Sequence, residues 1–146
     1  TNQGGYTELR MQVKAISAKN LKEPVEAIEA YKTLFDKTNR PGYGFEELQL
    51  EYSIRRLSET VVTGNKLLQA IPNGDSTILS VIKMDGKTAQ QVTLKAAVHK
   101  LLGLAYIDLK EKDNAVAQLN EALKENPDFE QAKNNLAVAN SLAVAQ

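Results

Sequence analysis

His99 is the one imidazole in the 146-residue chain, and cysteine is absent. Thiolate nucleophiles, disulfides and Cys-based metal sites are thereby removed together. A lone imidazole cannot hold zinc, which takes several N or S ligands. No G-x-S-x-G turn offers a serine for His99 to activate, so His99 reads as a packing residue. The stretches "GGYTEL", "PGYG" and "NGDS" contain glycine, yet none runs on into the Gly-Lys-Ser/Thr that cradles a phosphate; each reads as a turn. Glu46 and Glu47 are of the type used in acid–base chemistry, but adjacent carboxylates in a first helical turn also favour the helix dipole, and that reading is preferred. The expectation is no catalytic residue, no metal, no cofactor and no enzyme, with a small-ligand pocket around His99 and Tyr106 as the competing idea.

Charge points away from nucleic acid. Lysine plus arginine equals aspartate plus glutamate at 18 each, for a net charge of +0, and the signs alternate along the chain. Binding to phosphate backbones or anionic membranes draws on a basic excess. Tyr6, Tyr31, Tyr43, Tyr52 and Tyr106 do not follow a basic strip on which bases could stack. No apolar run approaches the roughly 18 residues of a membrane-spanning helix, so direct membrane insertion is not expected. The start at Thr1, without methionine, reads as a processed form or a recombinant piece, with any targeting segment already gone. The composition fixes no compartment.

The elements that position these residues are mostly helical. Leu9, Val13, Ile16 and Leu21 recur at helical spacing up to about Asn20. Pro24 suits a first helical turn, and Val25 to Lys37 reads as a second helix with Ala27, Ile28, Tyr31, Leu34 and Phe35 on one face. "NRPGYG" (Asn39 to Gly44) is a break. Phe45 to Thr63 reads as one helix through Leu50, Ile54, Leu57 and Val61, with Gly64 as its C-cap and a short further turn over Asn65 to Ile71. The stretch "STILSVIKMDGKTAQQV" fits either a short helix through Met84 or a hairpin about Asp85-Gly86. Helical surroundings favour the helix. Helices follow from Thr88 or Val92 to Lys110, from Asn114 to Glu125, and from Phe129 to about Val144.

Between Leu101 and Asp128, Gly103 and Ala115 put small side chains where two helices would cross, while Leu102, Tyr106 and Leu119 fill around the gap. Ala122 lies on the same face and Pro127 ends the second helix. The segment from about Ala96 to Phe129 thereby resembles a tetratricopeptide repeat, whose pattern falls on Leu102, Gly103, Tyr106, Ala115, Leu119, Ala122 and Pro127. His99 departs from it, since a large apolar residue is usual there. "VEAIEAYKTLF" resembles the second helix of a repeat through Ala27, Tyr31 and Leu34, although Lys14 and Pro41 fit the first helix and the terminator poorly. Phe129 to Gln146 resembles the solvating helix that covers a last repeat.

The fold implied is all-α: a right-handed stack of antiparallel helical hairpins with a C-terminal capping helix, and a short β-hairpin or an extra helix around 76–94. The division expected is one domain, 1–146, with a disordered tail at 1–6, a degenerate repeat at 7–38, a non-repeat helical insert at 42–95, a repeat at 96–129 and a capping helix at 130–146. One repeat cannot bury both of its apolar faces, so neighbours must cover it.

The resemblance implies that first helices line a concave groove. Mapped here, the partner-binding residues would be Ala97, Lys100, Leu104, Ile107, Asp108, Gln131, Asn134 and Val138. Lys100 falls on a position that some family members use to clamp a carboxylate, but Leu104 replaces the asparagine of that clamp. The mixed apolar and polar set suits a short helix or an extended peptide, while Leu104 and Ile107 would serve equally well packed on a neighbouring hairpin. The expected function is a protein-interaction module, a scaffold, adaptor or assembly factor whose partner is another protein or peptide segment. The alternative is a permanently bound structural subunit of a larger complex, reaching a membrane only through a partner.

Overall fold

The computed structural model describes residues 2–143, with side chains from Thr7 onward. In chain order the elements are α1 (Asn2–Asn20), α2 (Pro24–Thr38), α3 (Pro41–Ser53), α4 (Leu57–Ala70), β1 (Ile78–Ile82), β2 (Ala89–Thr93), α5 (Leu94–Asp108), α6 (Lys112–Glu125) and α7 (Glu130–Asn140). Helices pair as hairpins α1–α2, α3–α4 and α5–α6, and each pair packs on the next. α3 also meets α5, and α5 meets α7, so alternate helices form one layer and α2, α4 and α6 the other.

The three hairpins turn in the same way. Lys22, Arg55 and Lys110 adopt the left-handed conformation, at φ 58°, 66° and 63°. In each turn the next residue's N–H reaches back five residues (Glu23 to Ala18, Arg56 to Glu51, Glu111 to Tyr106), and the left-handed residue's own N–H reaches back three. This pair of bonds is the Schellman closure of a helix. The local sequences are Leu-Lys-Glu, Ile-Arg-Arg and Leu-Lys-Glu. A cation at such a position also lies against the negative end of the helix dipole.

That turn corrects the reading of the middle of the chain. Phe45 to Thr63 is not one helix: Arg55 closes α3 and α4 starts at Leu57. The stretch 42–95, expected as a non-repeat helical insert, is a third hairpin of the same build followed by a β-hairpin. The buried face is Gly44, Glu47, Leu48 and Glu51 on α3, and Thr60, Thr63, Gly64 and Leu67 on α4, not the stripe Leu50, Ile54, Leu57 and Val61. Gly64 is no C-cap; it lies inside α4 against the Leu102 side chain of α5. The break at 39–44 is shorter than expected, because α3 begins at Pro41 and carries Gly42 and Gly44 within it.

The first helix begins at Asn2, so the backbone of residues 2–6, expected as a disordered tail, is helical, and Thr1 lies outside the described residues. Once a first turn exists, each added residue adds a hydrogen bond, which extends the helix outward. Leu9, Val13 and Ile16 nevertheless stay 55%, 56% and 45% exposed. Ala15 and Ala18 face α2 instead, packing with Ala27, Ala30 and a buried Tyr31, because only small residues let the two backbones approach closely. At the other end α7 stops at Asn140, and Val144 to Gln146, placed in the capping helix from the sequence, lie outside the described residues.

Residues 78–93 form an antiparallel hairpin, not the favoured helix, with Leu79 opposite Val92 and Val81 opposite Gln90. The period of two puts Leu79, Val81, Gln90 and Val92 on the protein side, where a helix would scatter them round its surface. Asp85 closes the turn by accepting from Lys87 N, Thr88 N and Thr88 Oγ1, with Gly86 at φ 73°. Thr93 then caps α5, its hydroxyl accepting the Ala96 N–H at 3.1 Å.

Candidate binding cleft

The hairpin is laid against the layer of first helices. Gln90 donates from Nε2 to the Asp128 carbonyl at 2.7 Å and accepts the Glu130 N–H at 3.0 Å. Gln131 Nε2 donates to the Ile82 carbonyl at 2.6 Å, and Glu130 Oε1 accepts the Met84 N–H at 2.8 Å. Asn126 Oδ1 accepts the Thr93 N–H at 2.9 Å. Five side-chain to main-chain bonds thus fix the sheet on the α6–α7 corner, and Leu79 and Val81 come to rest on α5.

Between β1 and the first helices a cleft of about 420 Å³ stays open. Its walls are Leu79, Ser80 and Val81 on one side and Lys19, Glu46 and Gln49 on the other; Phe45, Ala97, Lys100 and Leu101 form the floor. Lys19 is bonded to Glu46 at 2.6 Å across the α1–α3 contact. Lys100 has no carboxylate partner among the described residues, and burial holds its ammonium below the usual lysine range. A second, more open cleft of about 360 Å³ lies between Gln12 and Ile16 of α1 and Arg40, Gly42 and Tyr43 at the start of α3.

The eight residues drawn as a groove are not brought together as one free face. Ala97 and Lys100 line the cleft floor. Gln131 is spent on the Ile82 carbonyl. Ile107 is buried with Ala115, Leu119 and Phe129, and Leu104 packs against the cluster that holds Leu101, Leu102 and Leu67. Asp108 Oδ2 accepts from Tyr52 Oη and from Arg55 Nη1, each at 2.8 Å. Asn134 and Val138 are exposed on α7. A residue four positions along a helix shares a face, but the face here is divided among a sheet, a neighbouring hairpin and solvent.

His99 is buried between α5 and α6 with Nδ1 2.8 Å from Gln118 Oε1, and burial lowers its pKa. Because α3 begins at Pro41, Glu46 and Glu47 lie beyond its first turn, so the dipole reading fails; Glu46 is instead the ion-pair partner of Lys19. The unforeseen group is Glu47 with Glu51. Both carboxyls are buried between α3 and α4; Thr63 Oγ1 donates to Glu47 Oε2 at 3.2 Å, while Glu51 Oε1 has no partner. Burial, then the neighbouring Glu47 charge, push Glu51 up to about 8. Burial also raises Glu47, and Glu51 keeps its proton at neutral pH, since a second buried charge beside Glu47 is disfavoured. The sequence signal was available: Glu47 and Glu51 are four apart, on the face that carries Gly44 and Leu48.

Stacked hairpins with small residues at their crossings and a sheet set into the groove define a helical-repeat domain. The protein is built on the tetratricopeptide-repeat fold, and residues 96–129 match the family model of the tetratricopeptide repeat. Among solved structures, the first TPR of Spaghetti (RPAP3) bound to an HSP90 peptide is similar at TM-score 0.68 and 14% identity, over 91% of this chain and 90% of that one. The Arabidopsis OM64 TPR domain gives 0.67 and 13%, over 91% and 93%. A TPR repeats protein from Bacteroides fragilis gives 0.67 and 16%, over 90% and 50%. No curated protein sequence matches this chain.

Proposed function

We propose that this chain is a protein-interaction module, working as a scaffold, adaptor or assembly factor, and that its partner enters the concave side between α1, α3, α5 and the hairpin. One observation carries the reading: the open cleft over Phe45, Ala97 and Lys100, with a cation at its base that pairs with no carboxylate among the described residues, Glu46 on the wall being bonded to Lys19. That is a recognition surface of the kind that fixes a peptide by apolar contact plus a few placed polar groups. A similar domain holding an HSP90 peptide supports peptide binding in this fold. Folds of this class are typically used for binding rather than catalysis, which supports reading the chain as no enzyme. Of the residues drawn from the sequence, Ala97 and Lys100 contact the partner, Asn134 and Val138 extend the surface along α7, and Leu104, Ile107, Asp108 and Gln131 shape it from within.

A photo-crosslinking residue at the exposed Gln49, on the cleft wall, tests the reading in native extract. A discrete crosslinked protein that is lost on adding Lys100→Glu is expected. Labelling only at random, or equally well in the Lys100→Glu chain, would remove the cleft as the binding site.

The second reading, a permanently bound subunit of a larger complex, is favoured by the exposed Leu9, Val13 and Ile16 of α1, which leave an apolar helix face in water. Size exclusion of native material separates the two: a subunit elutes only with its complex, whereas an adaptor also elutes alone.

A further inference from the structure

Hydrogen bonding alternates along an antiparallel ladder, and it fixes which way β1 presents its backbone. Leu94 N–H bonds the Thr77 carbonyl at 2.9 Å, and Lys83 N–H bonds the Thr88 carbonyl at 2.8 Å. With Leu79 opposite Val92 and Val81 opposite Gln90, the odd-numbered residues of β1 therefore bond to β2. Ile78, Ser80 and Ile82 turn their N–H and C=O to the outer edge. At the far end that edge is already used: the Ile82 carbonyl and the Met84 N–H are taken by Gln131 and Glu130. At Ile78 and Ser80 no group among the described residues bonds the outward N–H or C=O. An unpaired strand edge is a template for another strand, and proteins commonly blunt such edges with charge, proline or a bulge; Ile78-Leu79-Ser80-Val81 has none of these.

The open part of this edge borders the cleft described above, since Ser80 lines it although its side chain points to solvent. Opposite stand Lys19 of α1 and Glu46 and Gln49 of α3, on the far wall of the cleft. Lys100 lies on the floor as the cleft's unmatched charge, because Lys19 is neutralised by Glu46. Exposed Ile78 and Ile82 flank the edge on the solvent side, where cross-strand apolar neighbours of an added strand would rest.

Resting on the binding role proposed above and specifying its partner, we infer that β1 is a docking strand: an extended segment of a partner protein adds to its free edge through the main-chain groups of Ile78 and Ser80, and places an aspartate or glutamate side chain against Lys100. Main-chain bonds supply affinity in this mode, and the side chains directed into the cleft supply selectivity. An ammonium half removed from water gains more from an arriving carboxylate than one in bulk solvent.

The test uses the whole chain, isotopically labelled, and an end-blocked peptide of about six residues that alternates valine and threonine around one glutamate. Blocking the ends removes any terminal carboxylate. Binding should slow hydrogen exchange of the Ile78 and Ser80 amides by about tenfold or more, as expected of amides taken into a ladder. Replacing the glutamate by lysine, or methylating the peptide amides that face β1, should each weaken binding by about tenfold, roughly 1.4 kcal/mol. Ser80→Pro, which removes the outward donor at an edge position where proline is tolerated, should do the same with the circular dichroism spectrum unchanged. If the methylated peptide binds as well as the parent, if Ser80 exchanges as before, or if the peptide does not bind, strand addition is overturned. A native partner that still crosslinks at Gln49 would then show that the cleft binds by another geometry. Loss of that crosslink as well would end the binding role itself.

Discussion

Gly103 on α5 lies so close to Leu119 on α6 that a methyl group built at 103 would stand 2.6 Å from Leu119 Cγ. The two helices cross at this point, and the leucine occupies the space a side chain would need. Gly103→Leu should overpack the crossing and cost about 1–3 kcal/mol, read as a lowered melting temperature. In Leu119→Ala, itself costly by about 2–5 kcal/mol as a core truncation, the Gly103→Ala change should lose much of its penalty. Additive effects in the double mutant would place the two residues apart.

The left-handed turn residues carry a conformational cost that glycine avoids, about 1–2 kcal/mol for a residue with a Cβ. Lys110→Gly should therefore raise the melting temperature, net of the greater entropy glycine loses on folding. Arg55→Gly should gain less, because it also gives up the bond from Arg55 Nη1 to Asp108. Thermal denaturation of the two variants side by side checks the order.

Stability should fall as pH rises from about 4.5 to about 8. Glu51 has its folded pKa raised from 4.5 to about 8 by burial first and then by Glu47, so the folded state keeps a proton that the unfolded chain releases. Glu59 works in the same direction on Glu51, and the Lys32 and Lys66 charges act oppositely on Glu47. Glu51→Gln supplies a permanent N–H in place of the Glu51 proton. It should flatten this part of the pH profile and stabilise the protein above pH 8 by about 1–3 kcal/mol. Denaturant unfolding at several pH values measures it; an unchanged slope would mean the pair is solvated.

Leu104→Glu should destabilise the domain rather than merely weaken capture of a partner. Leu104 packs on the cluster of Leu67, Leu101 and Leu102. A carboxylate there sits half-buried among apolar side chains and costs about 1–3 kcal/mol, reduced by whatever an ion pair with Lys100 one turn back returns. Circular dichroism melts decide it, and a parent-like melting temperature would return Leu104 to the binding surface.

The hairpin over 96–129 was legible because its determinants are local. Gly103, Ala115 and Ala122 leave a gap that neighbouring helices must fill, and Pro127, coming after a helical run, ends it. Tyr31 at the contact with α1 was legible for the same reason, and so was the absence of thiol chemistry. The α3–α4 turn was hidden because Arg55, a good helix former, takes a left-handed conformation that glycine usually signals; the Schellman bonds and the packing of α3 and α4 on α5 hold it there, and the exposed ion pair with Asp108 adds little. The 78–93 segment had the residues for either helix or hairpin, and tertiary partners decided it: Gln90, Glu130 and Gln131 anchor a sheet, and Leu79 and Val81 find an apolar floor on α5. The groove could not be drawn from one helix either. Spacing tells which residues share a face, whereas which part of that face meets water depends on elements far away in the chain, and here a two-stranded sheet covers one half and leaves its own edge open beside the other.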